Sequence, residues 1–274
     1  EWIQKRKNCF TQEARDYGIE RPRGTMLIGP SGVGKSLTAK AIAHELSFPL
    51  VKFDVSKAFS KYVGESEGKI SQALKCLENM APCVAYVDEI DKLFQNTQSD
   101  GDSGVGKRVL SSILNYMQES EALIFWVFTA NRIVNLPPEL TRPGRIDTKF
   151  VLLTPTPLEA PDIINIHLRK RKQKEFSVEE LKEVSEYIWQ EFFSGAEIEG
   201  IVNETVIECF HDKTTISPEL LLKQFRASKS LINVNPKDFH DMVKWGLANA
   251  KLASDLGKYM DELSKNKPAN SEVL

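Results

Sequence analysis

The sequence predicts an α/β fold, a parallel sheet flanked by helices and followed by a small helical domain. Three observations carry this. Five short apolar runs alternate with helix-patterned segments. The first run leads into a glycine-rich turn, GPSGVGKS at Gly29–Ser36, and then into the helical pattern LTAKAIAHEL. The pattern changes after TPTPLEAP, Thr154–Pro161, and is helical from there on.

The apolar runs are Met26–Ile28, Leu50–Val55, Val84–Val87, Leu123–Thr129 and Lys149–Leu153. Near-continuous apolar strands suit a sheet covered on both faces. Past the prolines, Ile163, Ile164, Ile166 and His167 follow helical spacing. So do Leu181, Val184 and Ile188, and then Ile198, Ile201, Val202 and Thr205. The expected division is residues 1–154 as the larger α/β domain and 155–263 as a helical lid with a C-terminal helix. Residues 264–274 form a disordered tail. Asn96–Gly106 (NTQSDGDSGVG) reads as a mobile polar loop. There is no internal repeat.

A length of 274 residues allows one large domain or two modest ones, and 41% apolar residues can fill a core. A formal net charge of −2 argues against a basic nucleic-acid footprint over the whole chain. Cys9, Cys76, Cys83 and Cys209 are scattered with no C-x-x-C pair, which fits reduced thiols in a cytosolic or equivalent compartment. No apolar run approaches the ~20 residues that span a bilayer. No signal peptide is read, and the chain begins at Glu1, as a piece of a longer protein would.

Gly29–Ser36 carries the most chemistry. Gly29, Pro30, Ser31, Gly32, Val33 and Gly34 place backbone N–H groups around phosphate oxygens, and the helix that follows adds the partial positive charge of its N-terminus. Lys35 reaches the β- and γ-phosphates, Ser36 presents its hydroxyl to Mg²⁺, and Leu37 adjoins the loop. The second element is CVAYVDEID, Cys83–Asp91, an apolar strand ending in acids. Asp88 holds Mg²⁺ through water, and Glu89 polarises the attacking water. The alternative is that these acids only favour the N-terminus of the next helix. The third is WVFTANRI, Trp126–Ile133: Asn131 follows another apolar strand and sits beside Asp88 and Glu89 to orient that water, or is merely a turn residue. The fourth is LPPELTRPGRID, Leu136–Asp147. Arg142 and Arg145 flank a Pro-Gly corner and need an anionic partner: a γ-phosphate supplied in trans, or nearby surface acids.

In this order the loop, DEID, TAN and TRPGRID resemble the AAA+ ATPases, in the AAA clade proper, and the resemblance spans nearly the whole chain. It implies a P-loop AAA+ sheet of five strands in the order 5-1-4-3-2, a helical lid and a homo-oligomeric ring, usually a hexamer. ATP or ADP with Mg²⁺ lies between subunits, and Arg142 and Arg145 complete the neighbour's site. FSGAEIEGIVNETV, Phe193–Val206, resembles the helix whose Gly195–Ala196 backbone lies against adenine. IINIHL resembles the helix whose His167 approaches the nucleoside, although a polar residue on an amphipathic helix is the competing reading. DYGI, with Asp16, Tyr17 and Gly18, resembles the segment lining the adenine pocket. Glu197 stands where several other AAA+ clades carry an arginine. KYVGESEGKI resembles the central-pore loop of AAA unfoldases, in which Tyr62, Val63 and Gly64 grip a protein client. A surface turn before a helix is the alternative.

A narrower resemblance, through WIQKRKNCFTQEARDYGIERPRGTMLIG, APCVAYVDEIDK and GDSGVGKRVL, is to the hypothetical chloroplast reading frame forty-six family of cyanobacteria and plastids. It implies a cytoplasmic or plastid-stromal protein with a regulatory link to photosynthesis or inorganic carbon. WGLANAKLAS, Trp245–Ser254, resembles that family's C-terminal helix but departs from its basic pattern at Asn249 and Lys251. The leading expectation is an Mg-ATP-hydrolysing ATPase that remodels or threads a protein. A nucleotide-gated scaffold with little turnover and a nucleic-acid motor are the alternatives, and the acidic balance disfavours the motor.

Overall fold

The computed structural model describes residues 2–55, 65–94, 103–133, 136–141, 145–234 and 236–254. Tyr62, Val63, Gly64 and Arg142 lie outside the described residues, as does the tail from residue 255. The described chain forms two compact units. The first holds the described residues within 2–29, 35–151 and 249–251, and the second those within 30–34, 152–248 and 252–254.

In the first unit, α1 (Trp2–Lys7), a 3₁₀ turn (Asn8–Phe10) and α2 (Gln12–Asp16) precede β1 (Gly24–Ile28). Then come α3 (Lys35–Leu46), β2 (Leu50–Lys52), α4 (Glu65–Asn79), β3 (Cys83–Val87) and a second 3₁₀ turn (Ile90–Phe94). Next are α5 (Ser103–Glu119), β4 (Ile124–Ala130), α6 (Pro138–Thr141) and β5 (Thr148–Val151). The sheet order is β2-β3-β4-β1-β5-β6, where β6 is Lys251–Leu252. The first five strands follow the expected order, all paired in parallel. Two expectations are corrected. The C-terminal helix stops at Asn249, and Lys251–Leu252 adds a sixth strand to the sheet edge. The loop expected through Gly106 ends earlier, because Ser103–Gly106 already belong to α5.

The central strands are buried along their whole length because helices cover both faces of the sheet. Strand alternation in β4 distributes its aromatics between the two faces. Phe125 meets Trp2 and Phe10 of the N-terminal segment. Trp126 and Phe128, two residues apart, stack 5.8 Å apart with Phe53 and Tyr116 beside Trp126. Asp147 ties down the start of β1: its Oδ2 accepts from the N–H groups of Arg23 (2.8 Å) and Gly24 (2.9 Å). Gly24 is required for contact alone, since a Cβ there would lie 2.3 Å from the Trp126 carbonyl oxygen.

The second unit contains α7 (Ala160–Lys170), α8 (Lys182–Gln190), α9 (Gly195–Asp212) and α10 (Pro218–Ala227), then α11 (Leu231–Val234) and α12 (Pro236–Asn249). Helical periodicity places Ile164, Leu168, Val184, Ile188, Val202 and Phe225 in one buried core. Helix α9 starts on a capping box. The Ser194 hydroxyl accepts from the Glu197 N–H at 3.4 Å, and Glu197 Oε2 accepts from the Ser194 N–H at 2.7 Å. Glu197 Oε1 also accepts from the Leu231 N–H at 2.8 Å, so the glutamate found in place of an arginine joins two helices. Among the described residues no helix is long and apolar enough to cross a membrane.

Candidate functional site

The glycine-rich loop leaves the C-terminal end of β1, where the Gly29 N–H donates to the Ala130 carbonyl at 3.1 Å. Gly32 and Gly34 adopt φ of +84° and +92°, the left-handed region in which glycine has no Cβ penalty. Within the second unit, the Gly32 carbonyl accepts from the Ala196 N–H at 3.0 Å. That N–H belongs to the first turn of α9, where intrahelical partners are lacking. A Cβ on Gly32 would meet Ser194 Oγ at 2.6 Å and the Ala196 Cβ at 3.0 Å, and one on Gly195 would lie 3.4 Å from the Gly32 carbonyl. Gly195 and Ala196 thus sit directly against the loop.

Lys35 opens α3 and is buried, with Nζ donating to the Gly29 carbonyl at 2.8 Å. Burial lowers its pKa to about 8, against the opposing pull of Asp91, Glu89 and Asp88. The three acids therefore help keep a desolvated ammonium charged.

The ends of β3 and β4 form the polar centre of the first unit. Val87 pairs with Phe128, so Asp88 and Thr129 follow side by side. Thr129 Oγ1 donates to Asp88 Oδ1 at 2.8 Å and accepts from the Glu89 N–H at 2.8 Å. Asp88 Oδ1 also accepts from the Tyr86 hydroxyl at 2.7 Å, and Lys52 Nζ lies 3.6 Å from Oδ2. Burial raises the Asp88 pKa, but the hydrogen bonds from Tyr86 and Thr129 and the charge of Lys52 outweigh it, leaving the net value below normal. Burial and the Asp88 contact push the Tyr86 phenol up to about 12. Glu89 has a φ of +49°, a left-handed turn costing a non-glycine residue about 1–2 kcal/mol. Its Oε1 accepts from Asn131 Nδ2 at 2.8 Å, and its Oε2 lies 2.5 Å from Lys92 Nζ. Asp91, fully buried, accepts from the Asn131 N–H at 3.1 Å, while its Oδ2 has no hydrogen-bond partner.

Ser36 Oγ lies 2.9 Å from the Tyr86 hydroxyl, which joins it to Asp88 through one phenol oxygen. A hydroxyl and a carboxylate are hard oxygen donors. They suit Mg²⁺ held jointly with phosphate and water rather than in a protein cage. Among the described residues no cluster of three His, Cys, Asp or Glu side chains could form such a cage.

The other sequence candidates each have a local setting within their own unit. Asp16 ends α2, its Oδ1 accepting from Gln12 Nε2 at 2.9 Å, and Tyr17 and Leu37 are exposed. Gly18 turns the chain at φ +87°. His167 is buried on α7 with Nδ1 3.3 Å from Glu199 Oε1, without the alignment of a hydrogen bond. Burial lowers its pKa despite Glu199. Arg145 donates from Nη1 to the Glu139 carbonyl at 3.4 Å. Sequence reasoning missed Tyr86, Thr129, Asp91 and the Ser194–Glu197 cap. Tyr86 and Thr129 carried a signal: each is a hydroxyl within an otherwise apolar strand, one residue before its end.

Residues 25–153 match the family described as ATPase family associated with various cellular activities (AAA). More particularly, the chain resembles the AAA domain-containing proteins called ycf46. It is 40% identical over 228 residues to the one from Pyropia yezoensis, covering 82% of this chain and 46% of that protein. It is also 32% identical over 247 residues to the cell division cycle protein 48 homolog of Archaeoglobus fulgidus, covering 89% of this chain and 32% of that one. The fold matches the crystal structure of the FIGL-1 AAA domain with a TM-score of 0.71 at 18% identity, covering 91% of this chain and 83% of that domain. The chain spans about half the length of the ycf46 proteins it matches.

The loop clamp makes a local prediction. Gly32→Ala strains φ and collides with Ser194, which should break the Ala196–Gly32 hydrogen bond. The Ala196 amide is then expected to exchange hydrogen about fivefold to tenfold faster, for a loss of the roughly 1–1.5 kcal/mol typical of one net hydrogen bond. Native-state exchange read by NMR or mass spectrometry checks this, and unchanged exchange at Ala196 contradicts the clamp.

Proposed function

We propose that the protein hydrolyses Mg-ATP and uses the cycle to remodel or thread a protein client within a homo-oligomeric ring. The carrying observation is the pairing of Glu89 with Asn131 beside Asp88, with Asp91, Glu89 and Asp88 all acting on the buried Lys35. Lys35 and the loop Gly29–Leu37 bind the phosphates. Ser36 and Asp88 hold Mg²⁺, which when bound offsets charge on the phosphate oxygens. Glu89 takes the proton of the attacking water while Asn131 fixes its carboxylate. Each Glu89 oxygen carries one contact, from Asn131 or from Lys92, and keeps a further lone pair on which to accept that proton. Asp16–Gly18, His167, Gly195 and Ala196 contact the adenosine.

Arg142 and Arg145 act in trans on the next subunit's γ-phosphate, so turnover depends on assembly. Tyr62, Val63 and Gly64 grip the client. The match of residues 25–153 to the AAA family and the similarity to the Cdc48 homolog support the remodelling reading. The proposal extends to a cytoplasmic or plastid-stromal setting and a regulatory link to photosynthesis or inorganic carbon, which rest on the family resemblance of the sequence alone. A nucleotide-gated scaffold is the second reading, favoured by the engaged Glu89 carboxylate.

Glu89→Gln separates the two. Hydrolysis is expected to fall about 10²–10⁴-fold, the range for loss of a general base. ATP binding and a ring-sized particle are expected to persist. Phosphate release at the parent rate removes Glu89 from the mechanism, and a monomer in saturating ATP removes the trans role of the arginines. For the client contact, Tyr62→Ala should abolish processing of an unfolded model protein while leaving basal hydrolysis within about twofold. Full processing by that variant excludes Tyr62 as the grip.

A further inference from the structure

Between the loop helix and the acidic strand end stands a phenol to which the reading above gives no role. Tyr86 lies on β3, a central strand flanked by β2 and β4, and its ring is buried. It precedes Asp88 by two residues, so both side chains emerge on the same face of the sheet. Its hydroxyl lies 2.7 Å from Asp88 Oδ1 and 2.9 Å from Ser36 Oγ.

Proton counting gives this chain a direction. An ionised carboxylate can only accept, so Tyr86 donates to Asp88. A phenol has one proton, and that one is committed. Ser36 must therefore be the donor in its contact with Tyr86. A serine hydroxyl has one proton and two lone pairs, so a Ser36 proton pinned on Tyr86 leaves its lone pairs turned elsewhere. Free rotation of the same hydroxyl would instead present its proton to a cation for part of the time. Thr129 secures the far end by donating to the same Asp88 oxygen, so Oδ1 is held from two sides.

We propose that Tyr86 is a positioning residue for the divalent cation: it receives the Ser36 proton, so that a Ser36 lone pair is already directed toward the ion. This rests on the reading of Ser36 as a ligand of nucleotide-bound Mg²⁺. The residue acts through Ser36, with Asp88 serving only to fix the phenol proton, and touches neither nucleotide nor reacting atoms. The side chain is suited to a clean substitution, since phenylalanine keeps the buried ring and removes only the bridge.

The test is ADP affinity, read with a fluorescent analogue, as a function of Mg²⁺ and in EDTA. Tyr86→Phe is expected to raise the Mg²⁺ concentration giving half of the affinity gain about fivefold to tenfold, the size of one net hydrogen bond. Binding in EDTA should stay within about twofold of the parent. In a Ser36→Ala background, Tyr86→Phe should produce no further shift. An unchanged Mg²⁺ midpoint overturns the proposal. So does an equal loss in EDTA, which means a packing role, or a full shift in the Ser36→Ala background, which means that the effect bypasses Ser36. A parent protein that binds no nucleotide under either condition is a different failure, because it removes the nucleotide reading itself.

Discussion

One hydroxyl holds the candidate site together. Thr129 Oγ1 accepts the Glu89 N–H and donates to Asp88 Oδ1, both at 2.8 Å. Without the first bond, the N–H of a residue in a left-handed turn would be left without that partner beside buried strands. Without the second, Asp88 would lose one of the contacts that offset its burial. The two bonds use the parallel β3–β4 register to fix the directions of two adjacent acids. Asn131, two residues beyond Thr129, then reaches the Glu89 carboxylate with its side chain and Asp91 with its backbone. Two strand ends are laced into one rigid edge.

The electrostatics follow from that edge. A lysine buried beside the loop would shed its proton readily, and here burial does lower Lys35, but only to about 8. The acids of the β3 end supply the counter-charge that keeps it cationic near neutral pH. In the helical unit a different device acts on the same loop. The first turn of α9 spends one of its otherwise unpaired N–H groups on the Gly32 carbonyl, while Ser194 and Glu197 satisfy their own with a capping box. The loop is thereby held by backbone contacts that tolerate no side chain at Gly32.

The fold class and the order of the five main strands were legible because their signals are local. Apolar runs end at a loop, at paired acids and at an Asn, and the alternation with helical spacing fixes the class. The sixth strand was not legible. Lys251–Leu252 is two residues long, follows a helix, and is made by an edge that the chain returns to, not by its own periodicity. Ser103–Gly106 also misled, since two glycines and a serine read as loop while helix α5 absorbs them in its first turn. In the site, the residues with a motif were readable and their supports were not. Tyr86 and Thr129 sit in strands whose apolar character dominates the pattern, and what they do depends on a partner 41 residues away (Thr129 to Asp88) or 50 away (Ser36 to Tyr86). Glu197, read only as a missing arginine, turned out to have a job as a cap and a helix tie.

Single-turnover ATP hydrolysis by Thr129→Val is the most direct measurement of whether the strand-end network sets up the chemistry. The substitution keeps the buried shape and removes both hydrogen bonds at once. With the protein saturated by ATP, the rate is expected to drop at least about tenfold, as the Glu89 turn loses its anchor and Asp88 a donor. A folded variant that hydrolyses bound ATP at the parent rate contradicts the network's role.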